Sequence, residues 1–213
     1  MVSTPSLMTE LRQRGFSNLG IWTRGVDTDL FRPDRAIDLG LPPPVFITVG
    51  RIAVEKNLEA FLSLDLPGTK AVIGTGPQEA ELRSKFPDVK FYGLLENGTL
   101  ASHLASADVF VFPSLTDTFG VVQLEALASG VPVAAFPVTG PKDVITNNSI
   151  GALHTDLRDA CLEALKASRA ECRAFALNSS WDNSARQFIS HMRKIASGNH
   201  NPTIGMESSP VHA

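Results

Sequence analysis

From residue 45 onward the chain alternates short β-branched runs with segments whose apolar residues recur three or four apart, and no other feature narrows the available folds as far. Runs of strand length stand at Val45–Val49, Lys70–Ile73, Val89–Tyr92, Val109–Phe112 and Pro132–Phe136, with a weaker one at Gly151–His154. Between them lie segments of helical period: Glu55–Leu64, Gln78–Phe86, Thr99–Ala105, Val122–Ser129 and Pro141–Thr146. Strand and helix taken in turn mark repeated strand-helix units around a parallel sheet. The pattern therefore predicts an α/β fold: a doubly wound, mostly parallel, Rossmann-like sheet of about six strands with helices on both faces.

Two more helices are predicted at Leu157–Ala174 and Ser184–Ile195, after which GNHNPTIGMESSPVHA loses all periodicity and reads as a disordered tail. Ahead of the sheet, Pro5–Gly15 reads as a helix and Leu19–Trp22 as a short strand, before Pro42-Pro43-Pro44 starts the main unit. Three parts are thus expected. Residues 1–40 are the linker and end of a larger N-terminal domain, 41–197 the Rossmann-like domain with its C-terminal helices, and 198–213 the tail.

Charge and the length of the apolar runs disfavour two function classes. Nineteen Lys and Arg against 22 Asp and Glu leave no basic surplus to neutralise a nucleic-acid backbone. The longest apolar runs, Val109–Pro113 and Val131–Phe136, fall far short of a membrane span. Cys161 and Cys172 have no second Cys or His at ligand spacing and read as reduced, partly buried thiols of a cytosolic protein. Met1–Arg14 lacks the basic start and apolar middle of a signal peptide, so the expected location is the cytoplasm.

The sharpest chemical cluster is Pro113–Val133, where a strand ends, a polar turn carries Asp117, and a helix beginning near Gly120 carries Glu125. In a doubly wound sheet that junction lies where ligands bind, and the amides of Phe119, Gly120 and Val121 would face an anion at the helix N-terminus. On residue types alone the alternative stays open that Asp117 caps the helix and Glu125 is solvated. A second cluster, Gly50-Arg51-Ile52-Ala53-Val54-Glu55-Lys56-Asn57, lets Arg51 and Lys56 reach one phosphate or diphosphate. Its alternative is that Arg51 pairs with Glu55 and Lys56 is solvated. Gly74-Thr75-Gly76-Pro77 lacks the spaced glycines of a dinucleotide fingerprint and reads as a turn. Asp27-Thr28-Asp29 has the spacing to hold a divalent cation, but its place before the sheet favours a linker turn. The histidines form no ligand spacing, and no metal site is expected.

These motifs together resemble the C-terminal, donor-binding domain of retaining family 4 glycosyltransferases, enzymes of the two-domain GT-B fold. The resemblance runs from Leu19 to Lys194 through WTRGVDTDLFRP, VGRIAVEKN, IGTGPQEAEL, VKFYGLLENGTLASHLASADVFVFPS, the stretch Thr116–Ala134 and PVTGPKDVI. It implies one half of a GT-B fold whose residues 41–197 bind a nucleotide sugar, GDP- or UDP-linked, and transfer a hexose with retention of configuration. Arg51 and Lys56 match the basic pair that holds and steadies the departing diphosphate. Asp117 and Glu125 match the family's acid-x7-acid motif, the first on hydroxyls of the transferred sugar and the second on the ribose. Phe119, Gly120 and Val121 match the loop facing phosphates and sugar, and Leu95 and Asn97 the positions beside the base.

The resemblance further implies that no cofactor or metal is needed, because Arg and Lys replace the cation. The carboxylates then bind hydroxyls and the leaving group is stabilised electrostatically. Asp117 stands where Glu is usual, a hint about subgroup that does not fix the sugar. The acceptor, lipid or glycan, would be recognised by a domain this chain does not contain. The last helix, lacking that domain, is expected to expose an apolar face open to self-association or a partner domain. The expected location, the cytoplasm, includes the inner face of the membrane. Other readings stand beside this one: a non-catalytic nucleotide-sugar-binding module or split-enzyme subunit, and a dinucleotide oxidoreductase, which the missing glycines disfavour. Epimerases and phosphorylases of the same architecture complete the set.

Overall fold

In the computed structural model, which describes residues 1–117 and 119–197, the apolar runs become strands β1 (Val45–Val49), β2 (Thr69–Ile73), β3 (Lys90–Gly93), β4 (Val109–Phe112), β5 (Val133–Ala135) and β6 (Gly151–Leu153). They form one six-stranded sheet in the order β3-β2-β1-β4-β5-β6. Every neighbouring pair is parallel, so each connection must cross over, and helices make those crossings. They are α2 (Leu58–Leu62), α3 (Glu79–Lys85), α4 (Asn97–Ala105), α5 (Val121–Ala128) and α6 (Pro141–Val144). The helix α1 (Pro5–Gln13) precedes the sheet, and α7 (Leu157–Ala164), α8 (Arg169–Leu177) and α9 (Trp181–Ala196) follow it.

Alternation along the strands divides the core in two. Val45 and Ile47 of β1 and Phe110 and Phe112 of β4 pack on the face that also holds Leu104, Leu124 and Leu127. Phe46, Val109 and Val111 turn to the other face, against Phe61, Leu62, Leu82 and Leu157. Both faces are covered, as a parallel sheet requires. The expected tail, 198–213, lies outside the described residues.

Four predicted elements change on folding. The helix expected at Glu55–Leu64 is interrupted at Asn57, whose backbone is left-handed (φ 52°) and whose Nδ2 donates to the Pro113 carbonyl at 3.0 Å. A short 3-10 turn, Val54–Lys56, precedes the break and α2 follows it. The helix expected at Leu157–Ala174 is two helices, because the Ser168 amide donates to the Ser149 carbonyl at 2.9 Å while its hydroxyl caps α8 at the Glu171 amide. The strand expected at Leu19–Trp22 shrinks to a single bridge, Val2 to Ile21. Beyond that bridge Thr4 turns to cap α1 and the Thr23 amide is taken by Gln187, so pairing cannot propagate. The last helix starts at Trp181 instead of Ser184, with Ser180 as its cap.

Candidate functional site

The chain runs outward from β1 through β2 to β3, then returns to the centre at β4 and runs the other way. The loops after β1 and β4 therefore part, and a crevice opens at the carboxyl ends of the strands. It encloses about 380 Å³. Arg51 and Lys56 line it from the first loop, Asp117, Phe119, Gly120 and Val121 from the second, and Glu125 from the first turns of α5.

Two contacts join the loops. Lys56 Nζ lies 3.0 Å from Asp117 Oδ2, with the two side chains 31% and 16% exposed. The Asn57–Pro113 hydrogen bond lies beside it in sequence. Gly120 shapes the entry to α5, with φ +71°, and a Cβ there would stand 2.6 Å from Gln123 Nε2 and 2.9 Å from Phe112 Cζ. No side chain fits that corner without displacing its neighbours. Gln123, fully buried, donates from Nε2 to the Phe119 carbonyl at 2.9 Å and pins the loop from below.

The charges are arranged in part as each alternative had it. Arg51 Nη2 pairs with Glu55 and stays 66% exposed, as the plainer reading expected. Lys56 is not simply solvated, because Asp117 holds it. Asp117 Oδ1 accepts from the Phe119 amide at 3.2 Å, so that amide is not open to an anion. The amides of Gly120 and Val121 have no acceptor among the described residues. Glu125 has no ion pair among the described residues, and burial pushes its carboxyl above the usual glutamate range.

The remaining candidates stand elsewhere. Leu95 packs against the core between β3 and α4, and Asn97 is the exposed first residue of α4; neither lines the crevice. Asp27 turns its carboxylate onto its own backbone, accepting from the amides of Asp29 at 3.0 Å and Leu30 at 2.9 Å, which is the linker turn expected there. Gly74 has a tighter reason than a turn. A Cβ there would stand 1.9 Å from the Gly50 carbonyl, and nearby the Ile52 amide donates to the Thr75 carbonyl at 2.9 Å, so the loop after β2 lies directly on the one carrying Arg51. Cys161 and Cys172 are fully buried, not partly, and burial pushes both thiols up to about 12.

One charged residue of the crevice was missed. Arg24 lines the wall beside Arg51, and its guanidinium lies 5.7 Å from the centre of the Trp22 ring. The only signal was its place in WTRGVDTDLFRP, a segment read as linker. Gln123 gave no signal at all.

Residues 43–168 match the family model described as glycosyl transferases group 1. The chain is 40% identical over 148 residues to the sulfoquinovosyl transferase SQD2 of Arabidopsis thaliana, covering 63% of this chain and 29% of that protein. It is 34% identical over 161 residues to a GDP-mannose-dependent alpha-mannosyltransferase of Mycobacterium tuberculosis (strain CDC 1551 / Oshkosh), covering 72% and 43%. Among solved structures it is similar to the sucrose-phosphate synthase of Thermosynechococcus elongatus, with TM-score 0.74, 25% identity, and 92% and 58% covered. The chain thus spans less than half the length of these two curated relatives.

Proposed function

Because the chain belongs to the family of glycosyl transferases group 1, we propose that it is the donor-binding part of a glycosyltransferase that moves a hexose from a GDP- or UDP-linked sugar to an acceptor with retention of configuration. One observation carries this reading: Arg51, Lys56, Asp117 and Glu125, scattered through the sequence, converge on one crevice at the switch point of the sheet. Cations and acids kept in one small space suit a ligand with a charged centre and many hydroxyls. A sugar nucleotide is such a ligand.

Arg51 and Lys56 take the diphosphate, the first exchanging Glu55 for phosphate oxygen and the second held ready by Asp117. The Gly120 and Val121 amides add two neutral donors at the start of α5, where the helix dipole favours an anion. The two cations and these amides stabilise the diphosphate more strongly as it departs and gains charge, because fixed donors need no reorganisation at that moment. Asp117 holds hydroxyls of the transferred sugar and Glu125 those of the ribose. With the leaving group's charge met by side chains and amides, transfer needs no divalent cation and no cofactor. Leu95 and Asn97, outside the crevice, reach only the outer end of the nucleotide, at the base.

The test is calorimetric titration of the 213-residue chain with GDP, UDP and their sugar conjugates, with released nucleotide assayed in the same samples. Saturable binding of one nucleoside diphosphate, reduced by Lys56→Ala and unaffected by a chelator, is expected. Absence of binding to any of them overturns the reading. Release of free nucleotide shows that this chain also turns over; binding without release assigns it the donor half of the reaction.

A further inference from the structure

Among the described residues three cations line the nucleotide crevice, and two of them already have a carboxylate. Arg51 pairs with Glu55 and Lys56 with Asp117, whereas Arg24 has no carboxylate partner among the described residues. Its guanidinium lies over the Trp22 ring, 5.7 Å from the ring centre. An aromatic face attracts a cation without neutralising it, so Arg24 keeps its full charge for the crevice.

The backbone that carries Arg24 is anchored. The Trp22 amide donates to the Val2 carbonyl at 2.8 Å and the Val26 amide to the Ser179 carbonyl at 2.9 Å. Between them, Thr23 is bonded to α9 at both its amide and its carbonyl, by Gln187 and Ser184. A Cβ on Gly25 would stand 2.5 Å from Trp181 Cα, so the chain there lies directly against the start of α9. Arg24 is thus flanked on both sides by fixed residues, and its side chain reaches the crevice from a fixed base.

We infer that Arg24 is a further catalytic residue, a third cation that meets the charge appearing on the diphosphate as the sugar leaves. The inference rests on the donor-binding reading of the crevice. In the intact donor each phosphate of the diphosphate carries one negative charge, and Arg51 and Lys56 together match them. On transfer the bond from the anomeric carbon to the phosphate oxygen breaks, and its electron pair stays on that oxygen. The carbon bonds to the acceptor oxygen instead, and the acceptor's hydroxyl proton goes to water. The departing diphosphate therefore ends one negative charge richer than the donor, a charge that its terminal phosphate holds above a pH of about 6. A fixed arginine with no carboxylate to give up interacts more strongly with that state than with the bound donor, which is what lowers a barrier.

The experiment is a calorimetric cycle on the 213-residue chain, titrated with GDP, UDP, GDP-mannose, UDP-glucose and UDP-glucuronate. The parent is compared with Arg24→Ala, Arg24→Gln and Arg24→Lys; the glutamine keeps a stem on Trp22 and removes the charge, which separates charge from packing. At pH 8 both neutral variants are expected to weaken the nucleoside diphosphate that the parent binds about tenfold or more, and its neutral-sugar conjugate less than about threefold. Arg24→Lys should restore most of the loss, and Arg51→Ala should weaken both ligands by a similar factor. The excess loss should shrink as pH falls to 5 and the terminal phosphate takes up a proton. Asp117 and Glu125 in the crevice and Glu55 beside it titrate in parent and variant alike, so the difference between the two reports the phosphate. Equal loss for diphosphate and conjugate, no loss with any ligand, an excess that persists unchanged at pH 5, or a loss in Arg24→Ala that Arg24→Gln does not share overturns the inference. A loss confined to UDP-glucuronate also overturns it, by placing an acid group of the transferred sugar at Arg24. In each of these cases the donor reading stands. A parent that binds none of the five ligands removes the donor reading and the inference together.

Discussion

Glu125 is shifted by burial and by nothing else, which makes its ionisation a reporter of what enters the crevice. Because its folded value is raised, its contribution to stability is fully present below the unfolded glutamate range and is lost as pH rises through the folded value. Glu125→Gln should therefore melt higher than the parent at neutral pH and alike in acid; a gap that widens toward acid would reverse the sign. Ribose hydroxyls donate to the carboxylate better than to the acid, so nucleotide affinity should rise with pH across that same window. Glu125→Gln should flatten this rise, and Glu125→Ala should cost about 1–3 kcal/mol of nucleotide binding, both read by calorimetry. Asp117→Ala separates the two acids. It releases Lys56, so the bare nucleoside diphosphate should bind no worse, while the sugar conjugate loses about 1–3 kcal/mol. Equal loss for both ligands would make Asp117 a loop brace, through its Phe119 hydrogen bond, with no sugar contact. These residues were legible because charged side chains next to strand ends and glycines are conspicuous. Arg24 was not, since its approach to the crevice depends on how the first 40 residues fold back, and no local pattern encodes that.

Helix α8 owes its place to two arginines whose partners are all backbone carbonyls. Arg173 donates to Phe31 at 2.7 Å, Thr28 at 2.9 Å and Ala128 at 3.0 Å, and so binds the linker turn to the C-terminal end of α5. Arg169 donates to Ala107 and Ala105, each at 2.7 Å, at the end of α4. Since α5 carries Glu125, loosening α8 loosens the crevice from behind. Arg173→Ala strips charged hydrogen bonds from three part-buried carbonyls and should cost about 2 kcal/mol or more in denaturant unfolding. A loss within the scatter of surface substitutions would show that water replaces the guanidinium without penalty. The six strands were legible at their positions in the sequence, β1 and β4 to the residue, because those two central strands are buried along nearly their whole length and so are largely apolar. The break between α7 and α8 was not. Leu157–Ala174 keeps a helical period across it, and what ends α7 is a tertiary bond from Ser168 to Ser149 that periodicity cannot register. Asn57 was missed for the same reason, its left-handed turn being tied to Pro113 on another loop.

At the scale of the molecule, the last helix is seated by its polar residues. Ser184 Oγ donates to the Thr23 carbonyl at 2.7 Å, Gln187 Oε1 accepts from the Thr23 amide at 3.1 Å, and His191 Nε2 lies 2.7 Å from the Ile21 carbonyl. Phe188 adds one aromatic contact, its ring centre 5.1 Å from that of Trp22. Much of the apolar surface of α9 is left outside: Trp181, Ile189, Met192 and Ile195 are each 46–51% exposed. Water on four such side chains along one helix is an unfavourable arrangement that contact with a second surface relieves. The chain by itself is therefore expected to self-associate through α9, with a sedimentation coefficient that climbs with protein concentration. Added salt should not reverse the association, because no ion pair drives it, and cooling should weaken it. The double substitution Ile189→Lys and Met192→Glu leaves Ser184, Gln187 and His191 in place, so it should abolish the concentration dependence without lowering the melting temperature. Nucleotide affinity should not change either, because α9 contributes no residue to the crevice. A chain that sediments as a monomer at every concentration would show that the exposed stripe is tolerated in water and that no partner need be sought for it; a variant that still associates would place the contact on another surface.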